Sequence, residues 1–179
     1  MVEILCTDMS NQSRLQLLQR MPVFHGIRDD TLSVLLESVQ IVCIRAGDYF
    51  FHQGDDALYM YVLESGRASV RKSWGGQAVE VATMAAGDCF GEIALIDLSS
   101  RSASVRAEAD CTAVEISAVH LYRIHDVDIE QFIAIQANIA RELCRRLRAA
   151  DEKRLVPQAP SDAGLQGDVP LAWPQILAL

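Results

Sequence analysis

Residues 87–107 read GDCFGEIALIDLSSRSASVRA, and this stretch decides how the rest of the chain is understood. The segments before and after it alternate apolar and polar residues as strands do, but here the alternation stops. Phe90, Ile93, Ala94, Leu95, Ile96 and Leu98 crowd together around Glu92, which predicts a short helix rather than a strand. A helix N-terminus opening at Gly91 presents unpaired backbone N–H groups, and a residue without Cβ lets an anion come close. Arg101, at the mouth of the next strand, offers a planar fork that matches two phosphate oxygens. The Glu92 carboxylate does not suit a phosphate, but it accepts a hydrogen bond from a sugar hydroxyl. The trio is therefore read as a site for a phosphorylated ribose with a free 2′-hydroxyl.

From residue 40 onward the period is two. QIVCIRA, YFFHQ, LYMYVLE, RASVRKS, AVEVATM, SASVRA and CTAVEIS are rich in β-branched and aromatic residues, and AGD, QGDD, ESG, WGG and AAGD separate them as turns. Seven or eight short strands at this spacing predict a mainly β domain, a barrel or eight-stranded jelly roll. Helices flank it. SRLQLLQRM is a helix capped by Ser10 or Asn11 and stopped by Pro22, and VFHGIRDDTLSVLLESV holds a second, capped by Asp29 or Asp30. After Ser117, AVHLYRI is a short helix, and a long one runs from Asp128 to about Arg154 without Gly or Pro. Residues 1–10 read as a flexible N-terminus, 11–154 as one domain, and 155–179 as a Pro/Gly-rich tail with an apolar end, PLAWPQILAL.

Composition narrows the function classes. The 179 residues carry 16 Lys and Arg against 24 Asp and Glu, a net charge of -8, which argues against a surface built to neutralise nucleic-acid backbones. Five scattered cysteines without a CxxC pair are expected to be reduced thiols and do not form a metal-ribbon spacing. With no signal-like N-terminus and no run of eighteen apolar residues, a cytoplasmic chain without membrane insertion is expected.

GDCFGEIALIDLSSRSASVRA resembles the phosphate-binding cassette of cyclic-nucleotide-binding domains, the effector-domain family of catabolite activators and protein kinase A regulatory subunits. The likeness extends over about residues 14–154, through RMPVFHGI, the AGDYFFHQGD pair and the ESGRASV turn. The resemblance implies that Gly91, Glu92, Ile93 and Ala94 supply the turn, with Glu92 on the ribose 2′-hydroxyl. It implies that Arg101 pairs with the cyclic phosphate, that Ser102 adds its N–H and hydroxyl, and that Ala103 opens the returning strand. Ser at position 102 leans towards cAMP, with cGMP the alternative. The purine cap in the family comes from the last helix, where Arg145, Arg146 and Leu147 lie at the right distance; Arg146 is the choice, because Arg stacks on a purine. The family's transcription factors append a winged helix-turn-helix after the long helix, and the 25 residues here are too few for it, so no DNA partner is expected.

The competing readings are weaker. Glu92 and Arg101 could form an ordinary surface ion pair, which contributes little. His25, His52, His120 and His125 lack metal-site spacing, so no metal is expected. No Walker A loop, nucleophile elbow or paired carboxylates mark catalysis, so no enzyme activity and no cofactor are expected. Phe132, Gln136, Ile139, Leu143 and Leu147 form a stripe longer than a lid needs, which points to a homodimer through the C-terminal helix. The expected role is a regulatory sensor acting on an unidentified protein partner, and the alternative is an effector-free interaction module on the same fold.

Overall fold

A computed structural model describes residues 9–97 and 99–155. Expectations for the rest of the first ten residues, for Leu98 and for the tail beyond Leu155 lie outside the described residues. The element order is α1 (Asn11–Gln19), a 3-10 turn (Pro22–Phe24), α2 (Asp29–Leu36), β1 (Gln40–Ile44), β2 (Tyr49–Phe51), β3 (Tyr59–Ser65), β4 (Arg67–Trp74), β5 (Gln77–Ala85), β6 (Cys89–Phe90), α3 (Ala94–Asp97), β7 (Ser104–Ala107), β8 (Cys111–Ser117), α4 (Ala118–Val127) and α5 (Ile129–Leu155). Eight strands form two four-stranded antiparallel sheets, ordered β1-β8-β3-β6 and β2-β7-β4-β5, which is the expected jelly roll. The eighth strand is β6, two residues long and hidden within the opening stretch.

The period-two pattern explains how two cores share one sheet. In β3, Tyr61 and Leu63 point into the roll, where they meet Phe90, Val105 and Ala113. Their neighbours Met60 and Val62 point the other way, into a second core with Leu18, Phe24, Leu32, Ile135 and Ile139 from the helices. A strand buried on both faces has no room for unpaired charge, yet Glu64 is buried in it. Its partner is Arg14 of α1, whose Nε donates to Oε1 at 2.6 Å and whose second nitrogen reaches Oε2 at 3.4 Å.

The helix ends partly follow the sequence signals. Ser10 caps α1, its hydroxyl accepting from the Ser13 N–H at 3.2 Å. The α2 cap is Arg28, one residue earlier than expected and without a side-chain capping bond, while Asp29 and Asp30 sit in the first turn and favour its positive end. Most of the stripe assigned to a dimer is engaged within the chain: Ile139 is fully buried in the helix-side core beside Ile135, which the stripe did not include, and Phe132 and Leu143 pack against it. Leu147 of the stripe is 40% exposed, and so, outside the stripe, are Ile129 and Ile133 of the same helix, at 52% and 57%. Asn138 pins the first half of α5 by donating to the Val23 and His25 carbonyls at 3.2 and 2.8 Å.

The uniform reading of the cysteines as thiols is corrected. Cys89, Cys111 and Cys144 are free, whereas Cys43 is disulfide-bonded. Cys6 lies outside the described residues. No helix among the described residues is long and apolar enough to cross a membrane.

Removing Arg14 strands the Glu64 carboxylate in the core. Arg14→Ala is expected to lower stability by about 3 kcal/mol, read from the urea midpoint, and replacing both partners by apolar residues of similar size should recover most of that loss.

Candidate functional site

The opening stretch folds as a turn between the two sheets. β6 pairs with β3 through Tyr61 and Val62, and it ends at Gly91, which has φ +80. A Cβ at Gly91 would lie 2.7 Å from the Arg101 guanidinium and 3.2 Å from the Tyr59 carbonyl, so this position needs glycine for space as well as for conformation. Glu92 and Ile93 turn the chain, and α3 is a single turn that begins at Ala94, three residues later than the expected start at Gly91. The chain then returns to β7, which starts at Ser104, so Ala103 precedes the strand.

Arg101 is fixed at the backbone before its side chain does anything. Its N–H donates to the Asp55 carbonyl and its own carbonyl accepts from the Gly54 N–H, both at 2.9 Å, which clamps it to the QGDD turn. That turn is held by the Asp55 carboxylate, which accepts from the His52 N–H at 2.8 Å. The Arg101 side chain is buried. Its terminal nitrogens donate to the carbonyls of Tyr59 at 2.6 Å and Gly91 at 3.2 Å, and its planar head lies 3.9 Å from the Phe51 ring centroid. Nε has no hydrogen-bond partner, and no carboxylate among the described residues forms a salt bridge with the guanidinium. Burial lowers its pKa from the usual arginine value, and the more distant charges of Tyr61, Asp55, Glu92 and Glu115 oppose that shift.

Glu92 and Arg101 do not bind each other. Glu92 is almost completely buried, and its Oε1 accepts from Arg146 of α5 at 2.5 Å. Burial raises the Glu92 pKa, and the Arg146 charge pulls it back down. Arg146 also donates to the Cys89 carbonyl at 3.2 Å and to Glu142 at 3.0 Å, and Glu142 in turn accepts from Arg145 at 2.5 and 2.8 Å. The Cys89 thiol beneath this network is pushed up to about 12, chiefly by burial and then by the Glu92 charge. Gly91, Glu92, Arg101 and Arg146 are thus brought together. Ala103 is buried beside them in the roll, and Ser102 is exposed on the returning segment.

Other members of the site carry little sequence signal. Phe51, Tyr61 and Phe90 form an aromatic wall, with Tyr61 stacked at 5.6 Å on Phe90 and at 6.0 Å on Phe51. Alternation in LYMYVLE does place Tyr59, Tyr61 and Leu63 on one face, but nothing in the pattern says that this face meets the cassette. Among the described residues no group of three His, Cys, Asp or Glu side chains is arranged to hold a metal ion.

The profile of the cyclic nucleotide-binding domain matches residues 41–128. These residues belong to the cyclic nucleotide-binding domain family. The chain is 31% identical over 131 residues, 73% of its length, to the cyclic AMP receptor protein of Thermus thermophilus. It is 34% identical over 92 residues, 51% of this chain, to a cAMP-dependent protein kinase regulatory subunit of Schizosaccharomyces pombe. The chain spans 59% of the first relative's length and 22% of the second's. The crystal structure of the Thermus thermophilus catabolite activator protein superposes with a TM-score of 0.66 at 29% identity, covering 74% of this chain and 61% of that one.

The fit at Gly91 is tight enough to test. Gly91→Ala is expected to destabilise the domain by about 1–2 kcal/mol through the left-handed backbone and to displace the Arg101 head. Chemical denaturation measures the first effect, and a crystal structure of the variant reports the second.

Proposed function

We propose that the domain is a regulatory sensor that binds a cyclic nucleotide, with cAMP preferred over cGMP, and reports occupancy through α5. The observation that carries this reading is Arg101: a buried guanidinium with an unpartnered Nε and no carboxylate on it, set in a cassette of the family. Such a group is poised for a monoanion, and the equatorial oxygens of a cyclic phosphate present acceptors to its fork. The relatives named for cyclic AMP support the choice of ligand, as does Ser102.

The reporting step follows from Glu92, which sits between the ligand and α5. In this site the 2′-hydroxyl of a ribose and the Arg146 guanidinium compete for one carboxylate. When the hydroxyl takes Glu92, Arg146 is released to stack on the purine, the cap role assigned to it from sequence. The first half of α5 is anchored by Ile135, Asn138 and Ile139, so the change falls on the half beyond Arg141. A ligand shifts an equilibrium only through such differential contacts. The partner that reads this change is a protein met by α5 or by the segment after it.

One observation favours the effector-free alternative: two carbonyls already occupy the Arg101 head, and Arg146 already satisfies Glu92. A thermal scan with and without cAMP separates the two readings, because a ligand at 100 times its dissociation constant adds about 2.7 kcal/mol of stability.

Arg101→Ala is expected to weaken cAMP binding by about 3 kcal/mol in calorimetry, and equal affinity in both proteins would remove the assignment. Glu92→Gln should bind more weakly than the unmodified chain and discriminate less against the 2′-deoxy analogue. In hydrogen exchange, saturating cAMP is expected to alter residues 141–155 and to leave 129–140 unchanged. Arg146→Ala should abolish that ligand dependence; a change confined to residues 87–105 would mean that the signal does not travel by α5.

A further inference from the structure

One helix surface takes no part in the nucleotide site. Where α4 meets α5, the rings of Tyr122, His125 and Phe132 gather, with centroids 5.9, 5.8 and 5.4 Å apart. Val119 lies one turn before Tyr122 on α4, and Ile129 lies one turn before both Phe132 and Ile133 on α5, so these side chains adjoin the rings. Val119, Tyr122, Ile129 and Ile133 are all more than half exposed. The exposed Arg123, Asp126 and Glu130 stand among them in sequence. An apolar patch of this kind, edged by charge, marks a contact surface.

The chain carries an occupant of its own. Residues 170–179, PLAWPQILAL, hold Leu171, Trp173, Ile176, Leu177 and Leu179 and no charged side chain. Their burial is favoured in water. They follow α5 in the chain, and the intervening length lets them return along it. Ile129 and Ile133 lie 26 and 22 residues before Leu155 on one continuous helix, about 39 and 33 Å at 1.5 Å per residue. The 14 residues from 156 to 169 span about 46 Å when extended. The tether also favours this segment over a second copy of the chain. A linker this short presents its end at an effective concentration on the order of millimolar, well above that of another molecule in dilute solution.

We infer that residues 170–179 dock within their own chain on the face formed by Val119, Tyr122, Ile129, Phe132 and Ile133, and keep that face from other molecules while seated. The contact is apolar and lies outside the cassette, so it stands whichever ligand the cassette takes.

The test uses the full chain carrying W74F, in which Trp173 is the only indole. Its emission is expected to be blue-shifted from that of the same chain in denaturant, several-fold less quenched by acrylamide, and unchanged on dilution. The patch variant I129K/I133K, altered at two exposed positions, should shift the emission to the red and restore quenching. The tail variant L177D should do the same. Emission equal to that of the denatured chain overturns the proposal, and so does a blue shift that survives either variant. A shift that disappears on dilution assigns the contact to a second copy and overturns it equally. Hydrogen exchange gives a readout that needs neither the lysine variant nor W74F: with L177D alone, the amides of residues 119–133 are expected to exchange several-fold faster than in the unmodified chain, and equal rates overturn the proposal.

Discussion

A guanidinium buried without a carboxylate is the constraint around which this domain is arranged. Withdrawing an arginine from water costs several kcal/mol unless its charge is met, and Arg101 has only two carbonyls and an aromatic face. The structure holds it there by fixing its backbone first. The Gly54 and Asp55 backbone groups clamp both sides of the residue, and the left-handed Gly91 leaves space for its head. Fold stability elsewhere offsets a locally unfavourable arrangement, as is usual where a site is built before its ligand.

The same region joins the two cores. Glu92 stands at the end of β6, which is paired to β3, and its carboxylate is held by α5, which packs on the far side of that sheet. Residues of the cassette therefore share a network with Glu142 and Arg145 of α5. Burial makes this network sensitive: in a low-dielectric setting, moving one charge alters the balance for all of them.

Much of the fold was legible because β periodicity is local. Alternation and turn clusters gave the strands, and a break in alternation gave the cassette, including Gly91, Glu92 and Arg101. β6 escaped because two residues cannot display a period. The α2 cap escaped because Arg28 caps with backbone alone, leaving no side-chain signature. The α5 stripe was legible as apolar but not as to its partner, since Phe132, Ile139 and Leu143 look the same whether they meet a second helix or their own core. The contact of Arg146 with Glu92 spans 54 positions, and no spacing rule connects residues so far apart. The Cys43 disulfide was missed because scattered cysteines without a paired spacing carry no pairing signal.

The two-faced β3 strand also has a consequence for where the folding unit begins and ends. Its helix-side residues Met60 and Val62 are covered by Leu18, Phe24, Leu32, Ile135 and Ile139, all outside residues 41–128. Glu64 on that same side depends on Arg14. A fragment cut to the matched segment would keep only Leu121 and Ile124 of α4 over that face of its central sheet and leave a carboxylate without its cation. The recognisable region is therefore narrower than the autonomous one: the smallest piece able to stand alone includes α1 upstream and at least the first half of α5 downstream.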